Sequence, residues 1–279
     1  MKSFKSWLNP QPWRTVPSDD NDSYLDYIKK FQLNKDGVEH IKIMLYGPTG
    51  AGKSSFINTV ETIIRGRMTC QALPDATSGD SFTTKYQTHT IKKDSSSVYP
   101  FVFVDLMGLE KDRKKGVCPE DVMLALEGHL RDGYKFNPQS PITSSDPYYN
   151  SSPTLNDKTH ILVCVVPANT ANILTDEHIN KVREIRCAAR DLGIPQIAIL
   201  TKIDEACPEV DSDLKKVNLS NIIKKRTEEL HTSVGIPLNW IYPVKNYHSE
   251  FCPNKDIEAL TLMALKHIIN LGEDFVDKN

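Results

Sequence analysis

The sequence predicts an α/β fold in which a mostly parallel sheet of six strands carries helices on both faces. Short apolar runs alternate with segments of helical period from His40 to the end of the chain, which is typical of βα units. The later runs are nearly continuous in Val, Ile and Leu, as expected for strands that are covered on both faces. A glycine-rich segment at residues 47–54 lies between the first apolar run and the first helical segment.

Five apolar runs are predicted to be the central strands. They are residues 41–46, 101–104, 160–166, 197–200 and 240–242. A sixth strand is predicted around residues 84–91, where side chains alternate as they do in a strand at a sheet edge. We expect this strand to be antiparallel to its neighbour.

Helices are predicted from apolar residues at helical spacing and from the residues at each end. The predicted segments are 56–64, 119–130, 175–192 and 257–271, with a short helix around residues 23–31. Gly66 and Gly193 stand where two of these helices should end, because glycine readily adopts the left-handed conformation. Pro119 suits a first helical turn, and Thr175 suits an N-terminal cap.

The composition of the chain excludes several classes of protein. The 279 residues include 34 basic and 36 acidic side chains, a net charge of −2, and no clustered basic surface is predicted, so nucleic acid is not an expected partner. The six cysteines form no C-x-x-C pair, which argues against a disulfide or zinc framework. No signal peptide, lipidation motif or run of about 18 apolar residues is present, so we expect no transmembrane segment and a cytoplasmic location.

Two stretches stand apart from the βα pattern. Residues 1–39 are predicted to be an N-terminal extension that packs on, or flanks, a nucleotide-binding domain at residues 40–279. Residues 132–158 contain four prolines among Ser, Asn and Asp and are predicted to be a long insertion loop. Loops of this length are usually functional or disordered, and the sequence does not decide between these alternatives.

The glycine-rich segment matches the phosphate-loop pattern G-x-x-x-x-G-K-[ST] in full. Its small residues allow successive backbone N–H groups to converge on phosphates. These residues are Gly47, Gly50, Ala51 and Gly52. Lys53 is expected at the β- and γ-phosphates, Ser54 on Mg²⁺ and Ser55 at the α-phosphate. Because the loop follows a predicted strand and opens a predicted helix, the fold is predicted to be a Ras-like P-loop NTPase domain.

Two further segments are predicted to complete the Mg²⁺ and γ-phosphate side. Asp105 and Gly108 form a D-x-x-G pattern directly after a predicted strand, where the carboxylate can hold Mg²⁺ through water and the glycine N–H can meet the γ-phosphate. Mg²⁺ also needs a hydroxyl from the loop before the second strand. Thr83 is the preferred candidate and Thr84 the alternative, because the alternation of a strand begins at Thr84.

The base is predicted to be guanine. Thr201-Lys202-Ile203-Asp204 follows a predicted strand. Asp204 can accept hydrogen bonds from guanine N1–H and the 2-amino group, which adenine does not offer together, while the Lys202 stem packs over the base. Residues 244–246, including Lys245, follow the last strand and are predicted to cover the base edge with backbone N–H groups; a simple polar turn is the alternative.

Taken together, these segments resemble the interferon-induced protein 44 family. The segments are 47–55, 81–86, 105–110, 201–208 and 242–247, and the T-K-I-D-E-A-C-P run at 201–208 is the most specific of them. The resemblance extends over nearly the whole chain, including Pro12-Trp13-Arg14. It implies a GTPase-like domain and a vertebrate cytoplasmic protein of the innate immune, antiviral or antiproliferative response. The T-K-x-D variant is also similar to immunity-related GTPases.

The predicted ligands are therefore GTP, GDP and Mg²⁺, but hydrolysis is expected to be slow. Leu109 occupies the position after the D-x-x-G glycine, where many GTPases use Gln to orient water, and no catalytic residue is assigned. A protein partner, or self-association that depends on nucleotide, can complete such a site. The alternatives are a GTPase switch, an interaction module stabilised by GDP or GTP with negligible turnover, and an ATPase or nucleotide kinase, which Asp204 disfavours.

Overall fold

One mixed sheet organises the chain, with its strands in the order β2-β3-β1-β4-β5-β6. The structure is a computed structural model that describes residues 7–15, 21–70, 72, 85–106, 108–109, 116–170 and 175–279. The strands are β1 Ile41–Tyr46, β2 Gln87–Lys92, β3 Val98–Asp105, β4 Ile161–Pro167, β5 Gln196–Thr201 and β6 Ile241–Pro243. β2 pairs with β3 in antiparallel fashion at one edge, and the other neighbours are parallel. The predicted six-stranded α/β fold is confirmed.

Helices cover both faces of this sheet. They are α1 Asn21–Lys30, α2 Lys53–Arg65, α3 Pro119–Leu126, α4 Asp176–Asp191, α5 Ile203–Ala206, α6 Pro208–Ser212, α7 Asn221–Val234 and α8 Lys255–Lys278. α8 contacts α1, α2, β1 and β4, whereas α4 contacts α3, α7 and β5. Every residue of β1 and of β4 is buried between these two groups of helices. None of the helices in the described parts is both long enough and apolar enough to cross a bilayer.

The ends of two helices, and the presence of a third helix, differ from the prediction. α3 stops at Leu126, and Leu130 forms an isolated bridge with Tyr149 instead of a fourth helical turn. Gly128, at φ 88°, turns the chain out of the helix in the left-handed region, which is the physical reason for the early end. α8 runs seven residues beyond the predicted end at Leu271, and α7 was not predicted.

The described parts of the N-terminal extension lie against the C-terminal half of the chain. The Trp13 indole N–H donates to the Val217 carbonyl at 3.3 Å, and the Arg14 guanidinium donates to the Ile241 carbonyl at 2.6 Å. α1 packs on α8, where the Tyr27 hydroxyl donates to Asn270 Oδ1 at 2.8 Å. These contacts place the described parts of the extension beside β6 and α8, while the boundary at residue 39 stays a prediction.

The 132–158 loop is attached to α3 by a buried carboxylate. Asp121 accepts hydrogen bonds from the Tyr134 hydroxyl at 2.9 Å and from the Ile142 N–H at 2.8 Å. Burial raises the pKa of Asp121, although both hydrogen bonds oppose that shift. The loop also pairs with the chain before β2, through a bridge between Lys85 and Lys135. These contacts tie the insertion to the domain near the edge strand.

Candidate nucleotide-binding site

The phosphate-loop residues connect the end of β1 to the start of α2. The loop lies close to β4, because a Cβ atom placed on Gly47 would be 2.0 Å from the Val165 carbonyl oxygen. Gly47 also has φ 149°, which side chains rarely allow, so this position requires glycine. α2 then begins at Lys53 directly after the loop, without a side-chain cap, and the first N–H groups of a helix have no partner within the helix. The local geometry is therefore that of an anion-binding turn.

Lys53 extends over this loop and is almost fully buried. Its ammonium group donates to the carbonyl oxygens of Gly47 at 3.3 Å and Pro48 at 3.1 Å, and the residue is 2% exposed. A buried ammonium needs such partners because its desolvation is costly. These two carbonyl oxygens hold the positive charge over the turn, where the sequence predicts the β- and γ-phosphates.

Two of the predicted Mg²⁺ ligands are in direct contact. The Ser54 hydroxyl, from the first turn of α2, donates a hydrogen bond to the carboxylate of Asp105 at the end of β3. Both residues are buried, at 4% and 1% exposure. A hydroxyl and a carboxylate at one point supply the oxygen ligands that Mg²⁺ prefers, so the residues fit the ion. Thr83 and its alternative Thr84 lie outside the described residues, and that part of the assignment stays a prediction.

Gly108 of the D-x-x-G pattern lies directly on the phosphate loop. A Cβ atom on Gly108 would be 2.0 Å from Thr49 Oγ1 and 2.7 Å from Thr49 Cα, so a side chain is sterically excluded there. The next residue, Leu109, donates its N–H to the Gly47 carbonyl at 3.0 Å and is only 1% exposed. His178 from α4 contacts the Leu109 carbonyl through Nε2 at 3.1 Å. The Leu109 side chain is therefore part of the core.

The predicted base motif is attached to the phosphate loop by a threonine. The buried Thr201 hydroxyl, at the end of β5, donates to the Ala51 carbonyl of the loop at 2.6 Å. Lys202 follows with φ 56° and is, within the described ranges, the one non-glycine residue of positive φ. This turn starts α5 and carries Asp204 to the same edge of the sheet as the phosphate loop.

Residues 244–246 approach both parts of the site. The Lys245 ammonium lies 3.5 Å from an Asp204 oxygen and 3.1 Å from a Glu250 oxygen. Burial lowers the pKa of Lys245, but its hydrogen bond to Glu250 and the charge of Asp204 outweigh that effect and raise it above the usual value. Asn246 donates its side-chain amide to the Gly52 carbonyl at 3.1 Å. The segment is thus joined to the base motif and to the phosphate loop by side chains.

The structure brings most of the predicted site residues to one edge of the sheet. Those in the described ranges are Gly47, Gly50, Ala51, Gly52, Lys53, Ser54, Ser55, Asp105, Gly108, Thr201, Lys202, Asp204 and Lys245. Sequence reasoning missed Thr49, His178 and Glu250. No sequence pattern pointed to His178 or Glu250, since each reaches the site from another loop or helix, whereas Thr49 stood inside the phosphate-loop pattern at a position that accepts any residue.

Sequence comparison with known proteins identifies relatives of this chain. No protein-family model matches the sequence. Human interferon-induced protein 44-like is 34% identical over 256 residues, which are 90% of this chain and 55% of that protein. Mouse interferon-induced protein 44 is 34% identical over 257 residues, which are 91% of this chain and 60% of that protein. Over this shared region, the chain belongs to the interferon-induced protein 44 family. It spans a little over half the length of the curated relatives that it matches.

Solved structures agree on the fold of this member of the interferon-induced protein 44 family. Toc33 from Arabidopsis thaliana, in complex with Mg²⁺ and GMPPNP, has a TM-score of 0.52 and 13% identity over 91% of both chains. The same protein in complex with GDP and Mg²⁺ has a TM-score of 0.51, and the match covers 90% of this chain and 89% of that one. At this level of identity the similarity establishes the GTPase fold alone.

Proposed function

We propose that this chain binds GTP and GDP together with Mg²⁺ and hydrolyses GTP slowly. The observation that carries the proposal is the contact between Ser54 and Asp105, which brings two Mg²⁺ ligands together at the start of the helix that also carries the buried Lys53. In the bound state Ser54 would hold the ion directly and Asp105 through water, with Thr83 as the further ligand predicted from sequence. The bound Mg²⁺ supplies charge neutralisation for the phosphates.

Asp204 supports guanine as the base in this proposal. Its carboxylate accepts two hydrogen bonds from guanine, whereas adenine presents an unprotonated N1 in the same place. Thr201 keeps this motif attached to the phosphate loop, so one nucleotide can engage both. Toc33, which shares the fold, is a protein solved with GDP and with GMPPNP.

Slow turnover is proposed because of where Leu109 lies. An apolar side chain in the core cannot orient a water molecule by hydrogen bonding, and Leu109 is 1% exposed. A protein partner or a second copy of the chain would then supply the missing polar group, an effect worth about 10³–10⁵ in rate in other GTPases. If no such partner acts, the chain is an interaction module stabilised by GDP or GTP.

The biological setting is proposed from the relatives. Interferon-induced protein 44 and its 44-like relative are named for their induction by interferon, and we propose that this chain acts in the same innate immune or antiviral setting, in the cytoplasm. Measurement of its transcript and of the intracellular location of the protein, before and after interferon treatment of cells from the source species, tests this. An unchanged transcript level would contradict the proposal.

An equilibrium titration tests the nucleotide site. Purified protein is titrated with a fluorescent GDP analogue and Mg²⁺, and the analogue is then displaced by GDP, GTP or ATP. We expect GDP and GTP to compete and ATP to fail. Equal competition by ATP would contradict guanine recognition, and absence of binding would contradict the whole site. The ratio of GTP to GDP affinity then separates a switch from a module, because a switch must bind the two differently.

A further inference from the structure

Lys245 forms a bridge between two carboxylates on the base side of the site. Its ammonium nitrogen lies 3.5 Å from Asp204 Oδ2 and 3.1 Å from Glu250 Oε1. The three side chains are only 16–19% exposed, so water screens these contacts less than it screens surface ion pairs. The lysine side chain is thus held at the carboxylate that is proposed to bind the base.

The arrangement of donors and acceptors on guanine indicates which atom of the base the Lys245 ammonium can bind. In the proposed function, Asp204 accepts from N1–H and from the 2-amino group. The carbon next to N1 carries the 6-oxygen, so a donor beside the carboxylate can reach that oxygen when it lies on the C6 side of the base. An ammonium has three N–H donors, and the two carboxylates among the described residues take two of them. One donor remains for the base.

We propose that the Lys245 side chain donates a hydrogen bond to the 6-oxygen of guanine and thereby determines base specificity. This inference rests on the proposed function and deepens it. Adenine carries an amino group at the same position, and an ammonium has no acceptor to offer it, so Lys245 rejects adenine as well as binding guanine. The sequence alone predicts either backbone N–H groups of residues 244–246 at the base edge or a simple polar turn there, and no role for the Lys245 side chain.

Three diphosphates separate this contact from an effect transmitted through Asp204. GDP has the 6-oxygen, N1–H and the 2-amino group; IDP lacks only the 2-amino group; 6-thioguanosine diphosphate replaces only the 6-oxygen by sulfur, a weak acceptor. Affinities are measured by displacement of fluorescent GDP from wild type and from Lys245→Met. We expect the substitution to weaken GDP and IDP equally, by about 10-fold, because a charge-assisted hydrogen bond is lost.

For 6-thioguanosine diphosphate the same substitution is expected to cost less than about 3-fold, since the contact is already weak. A penalty equal for all three ligands, or absent for all three, would overturn the inference. Lys245→Arg retains donors and is expected to restore most of the GDP affinity. Lys215→Met removes a positive charge that lies 3.9 Å from Asp256, away from the base motif, and serves as the matched control, with unchanged affinities.

Wild type alone gives an independent check if Lys245→Met does not fold. It should bind 6-thioguanosine diphosphate at least about 5-fold more weakly than GDP, and equal affinities would overturn the assignment. Failure of the proposed function would give a different result from failure of this inference, because the wild-type protein would then not bind GDP at all.

Discussion

The phosphate side and the base side of this site are built in different ways. On the phosphate side, Lys53, Ser54 and Asp105 are at most 4% exposed and are fixed by backbone carbonyls or by one another. On the base side, Asp204 and Lys245 are 16–18% exposed and are held by side-chain ion pairs at 3.1–3.5 Å. The comparison indicates that the phosphate side is preformed. On the base side, a bound nucleotide can replace the side-chain ion pairs of Asp204 and Lys245 with contacts of its own.

The largest expected effect concerns the phosphate side. Lys53→Ala should weaken GDP and GTP alike by about 1,000-fold, near 4 kcal/mol, because a buried ammonium on the phosphates is lost. Displacement of fluorescent GDP measures this. Lys92→Ala, on the edge strand β2, is the control and should bind like wild type. A loss below about 10-fold for Lys53→Ala would mean that the phosphate side does not depend on this lysine.

Acid should destabilise the whole domain and so affect both sides of the site together. The group responsible is His160, which belongs to neither side. His160 accepts the Lys42 N–H at 2.9 Å through Nδ1, and burial lowers the pKa of His160 to about 4. Because this folded value is below the ordinary 6.5, the unfolded chain binds the proton first as the pH falls. The free energy of unfolding should therefore decrease by about 3 kcal/mol between pH 6.5 and 4.

Urea unfolding at several pH values measures that slope. His160→Gln cannot titrate in this range and should show a flatter dependence on pH. An identical slope in both proteins would assign the acid sensitivity to other groups.

The next largest effect concerns the base side alone. Asp204→Asn exchanges a pure acceptor for an amide with one acceptor and one donor, so GDP affinity should fall by about 30-fold, near 2 kcal/mol, while xanthosine diphosphate gains. Competitive displacement by the two diphosphates measures the exchange. Asp256→Asn, a carboxylate at the start of α8, is the control and should keep the preference for guanine. An unchanged preference in Asp204→Asn would refute the role of Asp204.

The smallest expected effect on the nucleotide site tests Leu109, the residue after the D-x-x-G pattern. Leu109→Gln restores the residue type that orients water in many GTPases, but here the amide would enter the core. We expect a stability loss of about 1–3 kcal/mol from burying an amide, and no gain in GTP hydrolysis. Leu109→Met, a volume-conserving change, should cost less than about 1.5 kcal/mol. A clear rise in single-turnover rate for Leu109→Gln would show that the side chain reaches the site after all.

The same comparison explains what sequence could predict. β1, β4 and the phosphate loop were predictable, because buried strands are written as continuous apolar runs and the loop is fixed by local backbone needs. α7 was missed although its buried residues, such as Ile223 and Leu230, recur at helical spacing, because Thr227 interrupts the apolar stripe and charged residues surround it. The contact of Lys245 with Glu250 follows from how the loop after β6 folds back, which no local pattern encodes.

The hydrogen bond from Thr201 to the Ala51 carbonyl couples binding on the base side to binding on the phosphate side. A base that restrains the turn after β5 also restrains, through this hydrogen bond, the Ala51 end of the preformed phosphate loop, and the reverse holds equally. Such coupling is reciprocal by necessity, so guanosine and pyrophosphate presented as separate molecules should each bind more tightly when the other is present. The intact nucleotide would then gain from cooperativity between its own two ends.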